Sequence, residues 1–242
     1  MGTSAGSGYT AVSTGRWHSC AVDPSGGIEC WGSDSNGQVA DAPTGSSYTA
    51  VSGGLYHSCA LDSAGGIECW GDDDATYDRG QVSDTPTGSG YTTMSSGSLH
   101  NCALDSSGSI ECWGFDGSGQ VADTPTSSGY TAVTAGVSHT CATDSSGGIE
   151  CWGRDSQGQV SDTPSGSGYT AVSAGSSTNC ALDSSGSIEC WGYDGYDQVS
   201  DAPTDSGYTA VSGGGTHACA LDSSGGIECW GWDDYGQVSD AP

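Results

Sequence analysis

The chain has 242 residues, with 30 acidic side chains, three arginines and no lysine, for a formal charge of −27. Such a charge repels phosphate backbones and anionic lipid, which argues against nucleic acid as a partner. Only 33% of the residues are hydrophobic and 42 are glycine, so a single thick apolar core is excluded and burial has to be distributed through the chain.

The opening MGTSAGSG has neither the basic end nor the apolar stretch of a secretion signal, and no apolar run is long enough to span a membrane. No direct membrane insertion is expected, and any export signal is expected to have been removed or to lie outside this sequence. From Tyr9 onward one phrase recurs six times, anchored at Tyr9, Tyr48, Tyr91, Tyr130, Tyr169 and Tyr208, in steps of 39, 43, 39, 39 and 39 residues. The longer step comes from WGDDDATYDRGQV, which has four more residues than WGSDSNGQV. A repeat array buries its faces against its own neighbours, so residues 1–242 are expected to form one domain.

Within each repeat the first element is YTAVS, the second HSCALD and the third GIECWG. All three are short, rich in β-formers and bounded by Gly, Ser and Asp, which predicts strands and turns. The second and third carry one cysteine each, which pairs Cys20 with Cys30, Cys59 with Cys69, Cys102 with Cys112, Cys141 with Cys151, Cys180 with Cys190 and Cys219 with Cys229, and leaves none over. Even pairing locked to the repeat favours disulfides and an oxidising compartment. Pairing Cys20 with Cys30 sets a hairpin register in which Ala21 meets Glu29 and Val22 meets Ile28, with the turn at 23–27. The rival reading is a metal site of His18, Cys20 and Cys30, because His and Cys two apart on a strand share a face. In the fifth repeat Thr178 replaces the histidine while Cys180 and Cys190 remain, so the cysteines do not depend on a histidine partner. The histidines then read as loop-bracing groups.

If the first strand runs up, the third also runs up, and the stretch GQVSDAPTGSG has to cross back over the full height of the sheet. It is expected either as a fourth strand or as an irregular edge, where its proline is tolerated. Antiparallel units of this kind repeated about an axis make a β-propeller. The expectation is therefore an all-β, single six-bladed β-propeller of about 39-residue blades with one disulfide per blade, closed into a ring with its termini adjacent.

The pattern AG..HSCALDS.G.IECWG.D..GQV resembles the repeat of the regulator of chromosome condensation family, over all six repeats. Its short, three-stranded bacterial form, as in the propeller-type β-lactamase inhibitory protein, is the nearer likeness. The resemblance implies a propeller and carries over no single function, since the family includes an exchange factor, inhibitors and receptors.

Two places escape the repetition. One is the dipeptide after the first-strand glycine: Arg16-Trp17, Leu55-Tyr56, Ser98-Leu99, Val137-Ser138, Ser176-Ser177 and Gly215-Thr216. The other follows Trp-Gly and includes Tyr77, Arg79, Phe115, Arg154, Tyr193, Tyr196, Trp232 and Tyr235. Strand parity puts both places at the same end, whereas the opposite turn, DSSGG or close to it, scarcely changes. Every aromatic residue outside the repeated Tyr and Trp, and all three arginines, lie in these variable loops. Tyr, Trp and Arg are the residue types enriched at binding hot spots. Arg16, Trp17, Leu55, Tyr56, Tyr77, Arg79, Leu99, Phe115, Arg154, Tyr193, Tyr196, Trp232 and Tyr235 are accordingly the candidate ligand-binding residues. The bland alternative is loop drift.

Asp34, Asp116, Asp155, Asp194 and Asp233 read as turn-capping residues rather than calcium ligands. Acids, histidines and cysteines mostly repeat with the scaffold instead of breaking its symmetry, so no catalytic site, metal or cofactor is expected. The sequence thus reads as an extracellular or cell-surface, non-enzymatic module that binds a protein or glycan. A structural repeat of a surface layer, adhesin or filament is the alternative.

Overall fold

The computed structural model describes residues 7–72 and 79–242, in which every repeat forms one three-stranded antiparallel sheet. Blade 1 comprises Ala11–Thr14, His18–Val22 and Ile28–Gly32, and blade 2 Tyr48–Gly53, His57–Asp62 and Ile67–Gly71. Blade 3 comprises Tyr91–Ser96, His100–Asp105 and Ile110–Gly114, and blade 4 Tyr130–Ala135, His139–Asp144 and Ile149–Gly153. Blade 5 comprises Tyr169–Ala174, Thr178–Asp183 and Ile188–Gly192, and blade 6 Tyr208–Gly213, His217–Asp222 and Ile227–Gly231. The crossing segment forms turns and extended chain; no fourth strand occurs among the described residues, so the irregular edge is the form adopted.

The expected hairpin register is present, with Cys20 opposite Cys30, Ala21 opposite Glu29 and Val22 opposite Ile28. All six expected disulfides form, each within one blade and between cysteines ten residues apart. Cys20 bonds Cys30, Cys59 bonds Cys69 and Cys102 bonds Cys112. Cys141 bonds Cys151, Cys180 bonds Cys190 and Cys219 bonds Cys229. The turn between these strands is fixed by the aspartate that precedes it. In blade 1, Asp23 Oδ1 accepts the backbone N–H groups of Ser25 and Gly27 at 2.7 and 2.9 Å. The repeated glutamates also serve the scaffold, since the anchor tyrosine of each blade donates its hydroxyl to the glutamate of the same blade, as Tyr48 does to Glu68 and Tyr91 to Glu111.

The core lies between blades rather than inside any of them. Cys20 and Val22 of blade 1 pack on Val51, Ala60 and Trp70 of blade 2, and Cys102 and Leu104 of blade 3 pack on Tyr130, Val133, Ala142 and Trp152 of blade 4. Three polar contacts accompany this packing. The tryptophan indole donates to the carbonyl of the preceding blade's buried glutamine, as Trp152 does to Gln120 at 3.1 Å. A hydroxyl on each inner strand accepts an N–H from the next inner strand, as Ser95 does from Ala135 at 3.0 Å. The histidines make the third contact: His18 reaches Ser58, His57 Asn101, His100 Thr140 and His139 Asn179, at 2.7–2.9 Å. They are therefore buried strand residues that tie blade to blade, which corrects the expectation that they brace loops.

The first two contacts recur at all five joints from blade 1 to blade 6 and the histidine contact at the first four, and the series stops at blade 6. At the joint between blades 6 and 1 none of the three contacts forms among the described residues. The surfaces that would meet there are open: Trp31 is 51% exposed where Trp70, Trp113, Trp152, Trp191 and Trp230 are 4–5% exposed. Leu221 is 39% exposed where Leu182 is 4%. The expectation of a ring closed at this joint is thus corrected. The physical reason is that each sheet is built wholly from one repeat, so no strand from the end of the chain is shared with blade 1 to draw the joint together.

Candidate functional site

The variable dipeptide and the loop after Trp-Gly are joined by hydrogen bonds, which places both at one end of the propeller. Phe115 N–H donates to the Leu99 carbonyl at 2.7 Å, Arg154 to Ser138 at 2.9 Å, Tyr193 to Ser177 at 2.9 Å and Trp232 to Thr216 at 3.0 Å. The glycine between makes this approach possible. At Gly114 φ is +103° and a Cβ would lie 2.7 Å from the Leu99 carbonyl oxygen, a position only glycine fills without strain.

In blades 1, 3, 4, 5 and 6 the rest of the loop is shaped by an aspartate and a glutamine, the latter buried in all of these but blade 6. In blade 3, Gln120 Oε1 accepts the Ser118 N–H at 2.8 Å, while Asp116 Oδ1 accepts from Val121 and Ala122 at 2.9 and 3.0 Å. Asp34, Asp155, Asp194 and Asp233 make the same pair of backbone contacts, so the aspartates do cap turns. Hydrogen bonds from backbone N–H groups hold the carboxyls of Asp34, Asp155, Asp194 and Asp233 below the usual carboxylate range. The buried glutamines, invariant in the sequence, carried no signal as site builders; their regular spacing two residues after the most variable loop position was the available clue.

The predicted residues fall into three groups. Arg16, Leu55 and Arg154 border an axial cavity of about 650 Å³, otherwise lined mainly by glycines and serines at the ends of the inner strands. The inner strands come close there: a Cβ on Gly97 would lie 2.5 Å from the Gly136 carbonyl oxygen of the next blade. Sequence reasoning did not foresee this cavity, although the glycine repeated at the end of each first strand marks it. A second group pairs cation with ring, Arg16 over Trp17 at 5.1 Å and Arg79 over Phe115 at 5.6 Å. The third is a row of rings crossing from blade 5 to blade 6: Tyr193 to Tyr196 at 6.0 Å, Tyr196 to Trp232 at 5.6 Å and Trp232 to Tyr235 at 5.1 Å. Tyr56 and Leu99 are half-buried and lend their carbonyls to the loop contacts. Tyr77 lies outside the described residues. Rings, guanidinium groups and loop amides equip this face for stacking and for polar contact. The cysteines are all bridged, and four of the histidines are buried in the joints.

The sequence profile of the regulator of chromosome condensation (RCC1) repeat matches residues 9–38, 169–198 and 208–237, in the first, fifth and sixth repeats. Among solved structures, the ectodomain of the receptor kinase CR4 from Physcomitrella patens is 28% identical, with a TM-score of 0.72 over 90% of this chain. This chain spans 59% of that ectodomain's length. The CRINKLY WD40 ectodomain of the receptor kinase ACR4 from Arabidopsis thaliana is 24% identical with a TM-score of 0.71, covering 93% of this chain and 85% of its own. Prp20p from Saccharomyces cerevisiae is 17% identical with a TM-score of 0.75, covering 96% of this chain and 73% of its own. No curated protein sequence matches the chain. Six three-stranded blades of one sequence repeat, three of them matching the profile of the regulator of chromosome condensation (RCC1) repeat, support a β-propeller built from RCC1-type repeats.

Proposed function

We propose that the chain is an extracellular, non-enzymatic recognition module whose variable face binds a protein or glycan. The observation that carries this reading is the hydrogen bonding of both variable loops into one surface that holds Arg16, Trp17, Phe115, Arg154, Tyr193, Tyr196, Trp232 and Tyr235. Drift alone would vary the opposite turn to a similar degree, and that turn is nearly constant. Six disulfides favour an oxidising, extracellular setting, which agrees with similarity to two receptor ectodomains. Prp20p is itself described by its binding to Gsp1p and histones, so a protein partner suits the fold. A charge of −27 disfavours nucleic acid.

The test replaces Trp17, Tyr56, Phe115, Tyr193, Tyr196, Trp232 and Tyr235 by serine and leaves the strands unchanged. A retained fold with lost capture of partners from the native surroundings supports recognition; unchanged capture overturns it. A second reading, a structural repeat of a surface layer or filament, draws on the exposed faces at Trp31 and Leu221. It requires assembly of the purified chain into oligomers that persist in the serine variant.

A further inference from the structure

Two rings on the variable face are already covered by cations of this chain, and one of these pairs serves as an internal template. Arg79 is the residue two before the buried Gln81 of blade 2, and Phe115 is the first residue after Trp-Gly in blade 3. At the joint between blades 5 and 6 the same two positions are filled by Tyr196 and Trp232. The separation is the same in kind: 5.6 Å from guanidinium carbon to ring in the first case and 5.6 Å from ring to ring in the second. Tyr193 and Tyr235 extend the second pair to a row of four rings.

This row is open to solvent, and among the described residues no cation of the chain covers it. Tyr196 is 43% exposed and Tyr235 81%. Arg16 and Arg79 stand over other rings, and Arg154 donates its Nε–H to Ser156 at 2.8 Å. The two loops that carry the row contain Asp194, Asp197, Asp233 and Asp234 and no basic residue. Asp194 and Asp233 each spend one oxygen, Oδ1, on backbone N–H groups of the turn.

We propose that Tyr193, Tyr196, Trp232 and Tyr235 form a docking strip for a cationic peptide segment, whose arginine or lysine side chains lie over these rings as Arg79 lies over Phe115. The proposal rests on the recognition reading above and narrows it to one ligand chemistry. The face of an aromatic ring carries negative potential and attracts a guanidinium or ammonium placed over it. Carboxylates in the same loops strengthen that potential, and the chain's net charge steers a basic segment toward it and away from anionic competitors. A neutral saccharide would also stack on rings, but it would gain nothing from the surrounding carboxylates as charges.

The experiment titrates the full chain by calorimetry with a short arginine-glycine peptide, with the same peptide carrying glutamine for arginine, and with an uncharged cello-oligosaccharide. It is run at physiological ionic strength and above, where diffuse attraction between exposed charges is screened beyond about 8 Å. The arginine peptide is expected to bind and the glutamine peptide not. Tyr196→Ser with Tyr235→Ser, which leaves net charge unchanged, is expected to weaken binding about tenfold or more. Trp17→Ser, on the same face but outside the row, is expected to leave it unchanged. Circular dichroism and intact disulfides verify folding of each variant. Absence of arginine-peptide binding, or equal binding to the double variant, overturns the proposal; so does oligosaccharide binding that is lost in the double variant. In each of these outcomes the recognition reading still stands if the seven-residue serine variant loses its native partners. It falls with the proposal only if that capture is also unchanged.

Discussion

His139 shows how a single residue links neighbouring blades. Asn179 donates its Nδ2–H to the Gln159 carbonyl at 2.9 Å, which turns its Oδ1 toward His139 Nε2 at 2.7 Å. The ring therefore carries a proton on Nε2 and donates it to Asn179. The exception in blade 5 follows the same logic. Thr178 stands where histidine would be, Ala218 stands where its partner would be, and Thr178 Oγ1 instead donates within its own blade to the Tyr193 carbonyl at 2.7 Å. Burial away from water lowers the affinity of these rings for a second proton: His18 and His139 are shifted down, and His100 falls to about 3 from its ordinary 6.5. Between those two values the unfolded chain binds more protons than the folded one, so stability falls as pH drops through that window. A thermal melt should show a lower midpoint at each step from pH 6.5 toward 3. His100→Thr, which copies the residue at the equivalent position 178, should be less stable at neutral pH and show a shallower acid dependence.

The hairpin formed by the second and third strands is the unit that the disulfides secure. Each blade offers few large apolar side chains, so a bridge that restricts the unfolded chain stabilises a fold whose burial is thin. A loop of this length contributes roughly 2–3 kcal/mol on the chain-entropy account. Replacing Cys102 and Cys112 together by alanine should lower unfolding stability by about that amount in urea, with peptide mapping still finding the other five bridges intact. This element was legible because alternation with period two puts both cysteines on one face, and the observed pairing of Cys20 with Cys30 follows directly. The same reasoning holds in every blade, as Cys59 with Cys69, Cys141 with Cys151 and Cys219 with Cys229 occupy the same register. The aspartate turns were legible for a similar reason, since an Asx turn needs only residues within a few positions of each other. The outer crossing was less so, because proline and glycine allow an edge strand or irregular chain and only the neighbouring sheet decides between them.

Across the whole molecule, six chemically similar tryptophans occupy unequal positions, and this makes the open joint measurable. Trp152 is buried against blade 3, whereas Trp31 faces the unclosed side of blade 1. Trp152→Ala should cost about 3–5 kcal/mol, and Trp31→Ala less than about 1 kcal/mol, in the same denaturation assay. Equal costs would mean that blades 6 and 1 pack in solution as the others do. The acidic surface also acts at this scale. With −27 formal charges and three arginines, self-repulsion opposes the compact state and added salt screens it. The melting midpoint should therefore rise steadily from dilute buffer to molar salt. A midpoint independent of salt would show that the repeated carboxylates are balanced locally by their turn amides and tyrosine hydroxyls.

The sequence by itself determined the number of repeats, the strands within each, the hairpin register with its disulfides, and the shared end of the two variable loops. All of these follow from local periodicity, from residues ten or so apart, or from counting strand directions. Tertiary structure alone decided which side chains meet across a joint, so that His100 finds Thr140 and Tyr196 finds Trp232 from positions 40 and 36 residues apart. It also decided that the sixth joint stays open at Trp31. Whether six steps complete a circle depends on the rotation between packed blades, which is set by side-chain volume and contact geometry summed over every joint.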